Sequence, residues 1–145
     1  MSIAAARAAD LPAVRALLAA NGLPQGDLTT AHLASFWVAR DAPGLAGCVG
    51  IERAGRAALL RSLAVREDAR RTGLGAALLA RAEAEARALG VDTLYLLTTG
   101  AERYLDARGY EATARYRVPP EIGATSEFAG LCPASAVCMS KRLAL

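Results

Sequence analysis

The sequence has few of the features that would assign it to several large protein classes. None of its stretches approaches the roughly 18 uninterrupted apolar residues that a membrane-spanning helix needs. Asp10 and Pro12 interrupt the N-terminal stretch before the apolar core of a secretory signal forms. Aromatic residues make up only 5% of the chain and the basic residues are scattered. The chain therefore lacks the clustered cations and exposed aromatics typical of a nucleic-acid-binding surface, and we expect neither a nucleic-acid nor a membrane partner.

Cysteine is scarce as well. Cys48, Cys132 and Cys138 are an odd number in a chain with no recognisable export signal, so we expect reduced thiols in a cytoplasmic protein. Trivalent arsenic binds thiolates, but Cys132 and Cys138 supply only two ligands unless Cys48 lies nearby. Cysteine is also one of the most buried residue types. We therefore predict cysteines that pack in the core, and no metal site.

The composition is that of a folded domain. Hydrophobic residues account for 54% of the 145 residues and charged residues for 21%, with a formal net charge of +3. These values exclude an intrinsically disordered chain and suit one domain over residues 1–145. The net charge gives a mild preference for anionic partners. So hydrophobic a small chain is expected to expose apolar surface, which suggests a homodimer.

The hydrophobic pattern predicts a mixture of helices and strands. Asp10 caps a first helix whose apolar residues recur at helical spacing as far as Asn21-Gly22. A long helix follows Gly73 and runs through Leu89, and a short helix covers 102–107. The predicted strands are 35–40, 45–52, 57–65, 91–98, 110–118 and a last edge strand at 136–142. This order predicts an α+β sheet with helices on both faces.

The segment Arg70-Arg71-Thr72-Gly73-Leu74-Gly75 lies between a predicted buried strand and the start of the long helix. Backbone N–H groups at a helix start lack intrahelical acceptors, and the helix dipole is positive there. The glycines let a bulky anion approach and the arginines add charge, an arrangement that suits a pyrophosphate. A dinucleotide site would need glycine where Leu78 stands, and a nucleoside-triphosphate loop would need Gly-Lys-Ser/Thr. A glycine turn with solvated arginines is the simplest alternative.

The pattern R-x-x-G-x-G between strand and helix resembles the acyl-coenzyme A loop of the Gcn5-related N-acetyltransferase (GNAT) superfamily. Leu63 to Val65 resembles the strand end that pairs with the pantetheine arm in that superfamily, and Tyr104 to Tyr110 resembles its F-Y-x-x-x-G-F segment. The resemblance covers nearly the whole chain. It implies the GNAT acyl-CoA N-acyltransferase fold, acetyl-CoA as co-substrate and N-acetyltransferase activity. The cofactor-binding residues it implies are Leu63, Ala64, Val65, Arg70, Arg71, Thr72, Gly73, Leu74, Gly75 and Ala76.

A narrower resemblance is carried by Leu59 to Val65, Leu96 to Thr99 and Ile122 to Pro133. These segments resemble the arsenic-resistance-associated N-acetyltransferases, whose relatives are similar to phosphinothricin acetyltransferases and acetylate amino-acid antibiotics such as arsinothricin. The resemblance implies a small amino-acid-like amine as acceptor and a role in arsenic or toxin resistance. Two alternatives remain: a non-catalytic acyl-CoA-binding or metalloid-sensing module, and a protein-lysine acetyltransferase. The latter often has an acidic peptide groove, which this arginine-rich chain does not indicate.

Acetyl transfer needs a neutral, aligned amine, a donor for the oxyanion and a proton for the leaving thiolate. The resemblance implies a backbone N–H near Leu63 to Val65 as the oxyanion donor. It also places Leu105 where the superfamily usually has the tyrosine that protonates the thiolate. Tyr104 would point about 100° away from that position on a helix, so its simplest interpretation is a core aromatic. Water or the product amine would then protonate the thiolate.

Glu52 and Ser62 are the catalytic candidates. Glu52 ends an apolar strand, where a carboxylate either accepts a proton from the amine or is an ordinary solvated charge. Arg61 and Ser62 interrupt an apolar strand, which is costly unless they are paired, and strand alternation places at most one of them in the cofactor cleft. Arg61 either clamps a substrate carboxylate or phosphinate-like group or pairs with Glu52 across the hairpin. His32 is expected to be a surface or capping residue. The remaining substrate-binding candidates are Thr98, Arg115 and Phe128.

Overall fold

The structure, a computed structural model, describes residues 2–143 and contains seven strands and four helices within them. The strands are β1 Ile3–Ala5, β2 Phe36–Asp41, β3 Gly44–Ala54, β4 Ala57–Val65, β5 Thr93–Thr98, β6 Glu111–Ala112 and β7 Val137–Arg142. The helices are α1 Leu11–Ala20, α2 Leu74–Ala88, α3 Glu102–Asp106 and α4 Pro120–Gly123. In the described part of the chain, no helix is long and apolar enough to span a bilayer.

The strands form one mixed sheet in the order β1-β2-β3-β4-β5-β7-β6. Strands β4 and β5 are parallel, whereas β1–β2, β2–β3, β5–β7 and β6–β7 are antiparallel. This sheet and its helices confirm the predicted α+β class. The chain divides into two compact units, residues 2–52 with 60–85 and residues 53–59 with 86–143.

The core of the first unit is built around α1. Pro12 occupies the first turn of this helix and Gly22, at φ 67°, follows its end, as helix boundaries favour. Buried residues recur at helical spacing along α1, which presents one apolar face to the strands. That face packs in a single cluster whose buried members are Val14, Leu17, Leu18, Leu28, Leu33, Phe36, Val38, Cys48 and Ala64.

Asp10 occupies the position just before α1, but it does not cap the helix with its side chain. Its carboxylate accepts the Arg7 N–H at 2.7 Å and both terminal nitrogens of Arg40 at 2.6 Å. The predicted helix start is therefore confirmed, whereas the predicted capping role of Asp10 is wrong. A charged guanidinium competes successfully with the α1 N–H groups because it offers two donors to a carboxylate that is only 8% exposed.

The second unit has a smaller core where β4 begins. Its parallel pairing with β5 runs from Ala57 opposite Thr93 to Leu59 opposite Tyr95. Ala57, Leu59 and Ile122 of α4 are buried together. The partly buried side chains that pack against them are Ala54, Tyr95, Val118 and Phe128.

Two of the predicted strands differ from those observed in the second unit. The strand expected at 110–118 shrinks to β6, because the chain turns at Arg115–Arg117 after the Thr113 N–H donates to the Cys138 carbonyl. Tyr116, expected within a strand, is 84% exposed. The segment expected as an edge strand, β7, instead lies between β5 and β6 and pairs with both.

Candidate active site

The guanidinium of Arg61 is the centre of a charged cluster in the first unit. Its side chain is fully buried in β4. Nη1 and Nη2 donate to the two carboxylate oxygens of Asp27 at 2.6 and 2.9 Å, and Nη1 also donates to Glu52 Oε2 at 2.7 Å. The pairing with Glu52 that was one predicted alternative is therefore present. The contact with Asp27 was not predicted.

The three charged residues come from three different parts of the chain. Glu52 lies near the end of β3, Arg61 lies in β4 after the turn at Gly55, and Asp27 lies in the segment between α1 and β2. Asp27 is 34 residues from Arg61 in sequence. A buried arginine requires an acidic partner, but that requirement does not say which of the 14 acidic residues supplies it. No sequence signal singles out Asp27.

Contacts between opposite charges dominate the electrostatics of this cluster. Hydrogen bonds from Arg61 hold the pKa of the Asp27 carboxyl below its usual value, against the opposing effect of burial. The Asp27 and Glu52 side chains are 12% and 22% exposed, so solvent reaches Glu52 more freely. A partly exposed carboxylate attracts a cation, and the ammonium form of an acceptor amine is such a cation.

His32 borders the same cluster. One oxygen each of Asp27 and Glu52 and one ring nitrogen of His32 lie within 4.8 Å of one another. The Thr29 N–H donates to His32 Nδ1 at 3.1 Å, so the ring caps a local turn, in agreement with its predicted role. These three side chains are of types that ligate metals. However, the Arg61 guanidinium already lies between the two carboxylates, so the cluster does not resemble an open metal site.

Ser62 departs from strand geometry. It is buried in β4 with φ 61°, a value that costs a non-glycine residue of order 1 kcal/mol or more. Its Oγ accepts a hydrogen bond from Arg61 Nε at 3.0 Å, and its carbonyl accepts one from the Cys48 thiol at 3.2 Å. Strand alternation was expected to place at most one of Arg61 and Ser62 in the cofactor cleft. That alternation is interrupted at Ser62, because residue 62 is not in the extended conformation on which alternation depends.

The loop before α2 is anchored by arginines. The backbone N–H of Arg66 donates to the Ala46 carbonyl at 2.7 Å. Its Nη2 and Nη1 donate to Asp41 Oδ2 and Oδ1 at 2.5 and 2.9 Å. Arg70 donates to the Val65 carbonyl at 3.2 Å and to Asn21 Oδ1 at 2.7 Å. Arg70 thus has a structural role in this loop.

The backbone after Arg70 presents its N–H groups at the start of α2. Arg71 and Gly73 both have positive φ, 63° and 84°, and both are exposed. The first i to i−4 bond runs from the Ala77 N–H to the Gly73 carbonyl, so the N–H groups of Leu74, Gly75 and Ala76 precede the helical ladder. A Cβ added at Gly73 would have no atom within 4 Å. This open, electropositive turn fits a pyrophosphate group.

The other cofactor candidates extend the loop at both ends. Thr72 Oγ1 donates to the Ala69 carbonyl at 2.6 Å, which closes the turn before Gly73. At the end of β4, Ala64 is buried, whereas Leu63 and Val65 are half-buried. At the beginning of α2, Leu74 is 6% exposed and packs inward.

The substrate candidates of the second unit have local contacts. Thr98 Oγ1 accepts the Ala101 N–H at 3.3 Å just before α3. Arg115 Nη2 donates to the carbonyls of Pro133, Ala134 and Ala136 at 3.1, 3.4 and 2.8 Å. Phe128 packs against the core around Leu59. Their roles toward a substrate stay predictions.

The exposure of the Tyr104 side chain differs from what was expected of it, whereas the neighbouring Leu105 is buried. Leu105 is 4% exposed, whereas Tyr104 is 37% exposed. The Arg108 guanidinium lies 3.7 Å from the centroid of the Tyr104 ring. The interpretation of Tyr104 as a core aromatic is therefore wrong, since a cation stacked on a surface ring stabilises it outside the core.

The three cysteines are buried thiols, as predicted. Burial raises the pKa of Cys48 to about 12 and also raises the pKa of Cys138. A thiol with a raised pKa is a poor nucleophile and a poor metal ligand at neutral pH. Packing is the role that these positions support.

Comparison with known proteins adds a family match. Residues 32–112, more than half of the chain, match the family described as Acetyltransferase (GNAT) domain. An amino-acid acetyltransferase of Ectopseudomonas mendocina is 47% identical over 60 residues, which make up 41% of this chain. Those residues make up only 14% of that protein, so the chain matches a small part of the length of its curated relatives.

Two solved structures share the fold over nearly the whole chain. One is N-acetylglutamate synthase from Neisseria gonorrhoeae complexed with coenzyme A and N-acetyl-glutamate, with a TM-score of 0.85 and 23% identity over 99% of this chain and 35% of that chain. The other is Rv2747 from Mycobacterium tuberculosis in complex with CoA and NLQ, with a TM-score of 0.81 and 20% identity over 99% of this chain and 100% of that chain. At these identities the likeness establishes the fold alone.

Proposed function

Because this chain belongs to the acetyltransferase (GNAT) domain family, we propose that it transfers the acetyl group of acetyl-CoA to the amino group of a small amino-acid-like acceptor. The GNAT fold predicted from the sequence is confirmed by the family match and by the solved structures that share it. The family match and the amino-acid acetyltransferase relatives support both the N-acetyltransferase class and acetyl-CoA as co-substrate.

The observation that carries the choice of an amine acceptor is the Glu52–Arg61 contact. Glu52 presents a partly exposed carboxylate that Arg61 holds at 2.7 Å through one oxygen. Asp27 and Glu52 place two carboxylates beside this guanidinium, and a carboxylate favours the ammonium form of an amine in the ground state. Glu52 then removes a proton, because only the neutral amine has a lone pair for attack.

In the proposed reaction, the amine nitrogen forms a bond to the thioester carbonyl carbon, and the carbon–sulfur bond breaks. The ammonium first gives one proton to Glu52, and the neutral amine attacks. The nitrogen that has attacked then loses its second proton to the leaving sulfur, directly or through water. Leu105 cannot supply that proton. The backbone near Leu63 to Val65 supplies the oxyanion donor. Ser62 adds a hydroxyl beside Arg61 that fixes the guanidinium through Nε.

The loop at the start of α2 is the proposed site for the pyrophosphate of acetyl-CoA. Gly73 and the N–H groups of the first turn supply the cradle, and Arg70 and Arg71 supply positive charge. Such a site selects the co-substrate by its diphosphate rather than by its acyl group. The acyl group is then left for the residues around Arg61 to position.

The proposed acceptor is an amino acid or an amino-acid-like toxin such as arsinothricin or phosphinothricin, in a role in arsenic or toxin resistance. Support comes from the resemblance carried by Leu59 to Val65 and Ile122 to Pro133, and from the amino-acid acetyltransferase relatives. Arg61 would clamp the acceptor carboxylate only if it released Asp27. We therefore propose that Arg61 mainly orients Glu52. The substrate roles of Thr98, Arg115 and Phe128 stay predictions from the sequence.

The test is thiol release from acetyl-CoA over a panel of amines: free amino acids including glutamate, arsinothricin, phosphinothricin and a lysine peptide. We expect saturable turnover with one or a few free amino acids or analogues and little with the peptide. Glu52→Gln should lower kcat with the same acceptor by at least tenfold. Preferential turnover of the peptide would overturn the proposed acceptor class.

One observation favours a second candidate, a non-catalytic acyl-CoA-binding module. Leu105 is buried where the superfamily usually has its tyrosine acid. Tight acetyl-CoA binding, measured by calorimetry, without turnover of any amine in the panel would support that module and overturn the enzyme.

A further inference from the structure

We propose that a cleft in the second unit binds a free α-amino acid with an apolar side chain. The cleft has a volume of about 400 Å³, within the range of small-molecule sites in proteins, and lies where β4 and β5 begin. All of its lining residues belong to the second unit, and none of them is in the Arg61 cluster or in the loop 70–76. Such a site would exist whether or not the chain transfers acetyl groups.

Small residues of the turn between β3 and β4 leave room for a ligand. The side chains of Ala54 and Ala57 end at Cβ, and Gly55 between them has a φ of 64° and no side chain. Tyr95 of β5 provides an aromatic wall and packs, partly buried, against the core around Ile122. Alanine methyl groups and an aromatic ring favour the hydrocarbon part of a ligand.

Arg56 supplies the positive charge of the cleft, and neighbouring residues fix its position. Its Nε donates to Asp92 Oδ2 at 3.1 Å, and the Thr93 hydroxyl donates to the other carboxylate oxygen of Asp92 at 3.0 Å. The Asp92 N–H donates to the Arg56 carbonyl at 2.8 Å. The two terminal nitrogens of Arg56 have no hydrogen-bond partner in the described part of the chain, so they can bind a carboxylate through two parallel bonds.

Glu121 and Tyr95 supply further polar groups for a ligand. Glu121 is exposed in α4, and its carboxylate makes no hydrogen bond or ion pair with any residue from 2 to 143. The Tyr95 hydroxyl has no hydrogen-bond partner within the same residues. Burial and the charge of Asp92 raise the pKa of Tyr95, so the phenol is neutral and can donate a hydrogen bond to a ligand.

These charges favour a zwitterion over simpler ligands. A purely anionic ligand would meet the carboxylates of Asp92 and Glu121, and a purely cationic ligand would meet Arg56. A metal ion is a poorer fit, because the described residues bring no three metal-ligating side chains together at this cleft. A free α-amino acid carries a carboxylate for Arg56, an ammonium group for Glu121 and an apolar side chain for Tyr95.

The test is a titration of the nitrogen-15-labelled protein with leucine at about pH 6, where its carboxylate and its ammonium group are both charged, followed by NMR of the backbone amides. We expect saturable shifts at Arg56, Asp92 and Glu121. Leucinamide lacks the carboxylate, and N-acetylleucine lacks the ammonium group. Because the side chain of Arg56 is 82% exposed, we expect each of these compounds to bind only about threefold to fivefold more weakly than leucine.

Two variants assign the two charges. Arg56→Gln should remove the preference for leucine over leucinamide and keep the preference over N-acetylleucine. Glu121→Gln should do the reverse. A variant that failed to fold would lose both preferences together, so this exchange separates a contact with the ligand from a loss of stability.

Arg53→Gln and Glu111→Gln are the matched controls. Arg53 is also an exposed arginine of the second unit, and its Nε donates to the Gly55 carbonyl at 3.1 Å. Glu111 is exposed in β6. Neither residue lines the cleft, so we expect both variants to keep both preferences.

Three results would overturn the amino-acid site: equal affinity of the wild type for the three compounds, shifts that spare the amides of Arg56 and Glu121, or no saturable shift up to the solubility of leucine. Glu52→Gln should bind leucine as the wild type does. Loss of binding in that variant would place leucine in the candidate active site and would also overturn the proposal. A wild type that acetylates no amine would overturn the proposed function and leave these titrations unchanged.

Discussion

At the scale of single residues, Arg61 shows what a buried charge contributes. Asp27 and Glu52 are among the partners that compensate the cost of its burial, and such networks often add little net stability compared with apolar residues of the same size. Stability alone therefore does not explain an arginine inside β4. The fixed geometry of the guanidinium does, because it sets the positions of the Glu52 carboxylate and the Ser62 hydroxyl at the same time.

Gly73 offers a single-residue test of the proposed pyrophosphate site. Its φ of 84° strains any residue with a Cβ, and the space where a Cβ would point is open. We expect Gly73→Ala to lower the free energy of unfolding by about 1 kcal/mol and to raise KM for acetyl-CoA severalfold, since the methyl group would occupy room needed by the anion. Steady-state kinetics and urea unfolding measure the two effects.

Gly90 supplies the control for that substitution. It follows the other end of α2 with a φ of 85° and also has no atom within 4 Å of an added Cβ. Gly90→Ala should therefore cost a similar free energy of unfolding and leave KM for acetyl-CoA unchanged. Equal effects of both alanines on KM would mean that Gly73 matters for folding and not for the co-substrate.

At the scale of secondary-structure elements, the pairing of β2 with β3 depends on one missing side chain. Gly50 lies opposite Phe36, and a Cβ added there would approach the Phe36 ring to 2.2 Å. We expect Gly50→Ala to lower the free energy of unfolding by about 2–3 kcal/mol, because the buried ring has no room to move. Urea unfolding of Gly50→Ala and of Phe36→Leu/Gly50→Ala measures the clash.

The double variant decides the cause. If the clash with Phe36 is responsible, the cost of Gly50→Ala should be smaller in the Phe36→Leu background, which gives a coupling energy in the double-mutant cycle. Gly26→Ala, where an added Cβ meets nothing within 4 Å, should change stability little. Additive effects of the two core substitutions would show that backbone preference, and not the ring, limits this position.

Local sequence predicts best those elements whose first and last residues are marked by neighbouring turn or charged residues. Strand β4 was predicted at its observed bounds, because its apolar run begins after Gly55 and ends before a charged loop. Helix α1 was predicted for a similar reason. The strand at 110–118 failed, because Arg115 leaves the sheet to bind carbonyls of a segment about twenty residues away. The residues near Arg115 in the sequence do not predict that contact.

In the candidate site, too, contacts between residues close in sequence were predicted, whereas contacts between distant residues were not. The loop 70–76 was predicted from residues that are adjacent in sequence, and the positive φ values at Arg71 and Gly73 agree with a turn there. Of the contacts that Arg61 makes with Glu52 and Asp27, only the one with Glu52 was predicted, because Glu52 is close to Arg61 in sequence and Asp27 is not. The backbone conformation of Ser62 was not predicted, because a single left-handed residue in a strand follows from tertiary packing rather than from the pattern.

At the scale of the whole molecule, carboxylates held by arginines link stability to pH. Hydrogen bonds from Arg40, Arg61 and Arg66 lower the pKa values of Asp10, Asp27 and Asp41 in the folded protein. A carboxyl group with a lowered folded pKa stabilises the fold at pH values above its unfolded pKa, about 3.9. That contribution is lost as the pH falls through the folded pKa.

We therefore expect the free energy of unfolding to fall steeply below about pH 4, and Asp10→Asn to flatten that fall. Asparagine cannot titrate, so the variant should be less stable than the wild type by about 1–2 kcal/mol at pH 7 and approach it at pH 2. Urea unfolding at pH 7, 5, 3 and 2 measures both curves. A constant difference between them at all four pH values would mean that Asp10 stabilises the protein through contacts that do not depend on its charge.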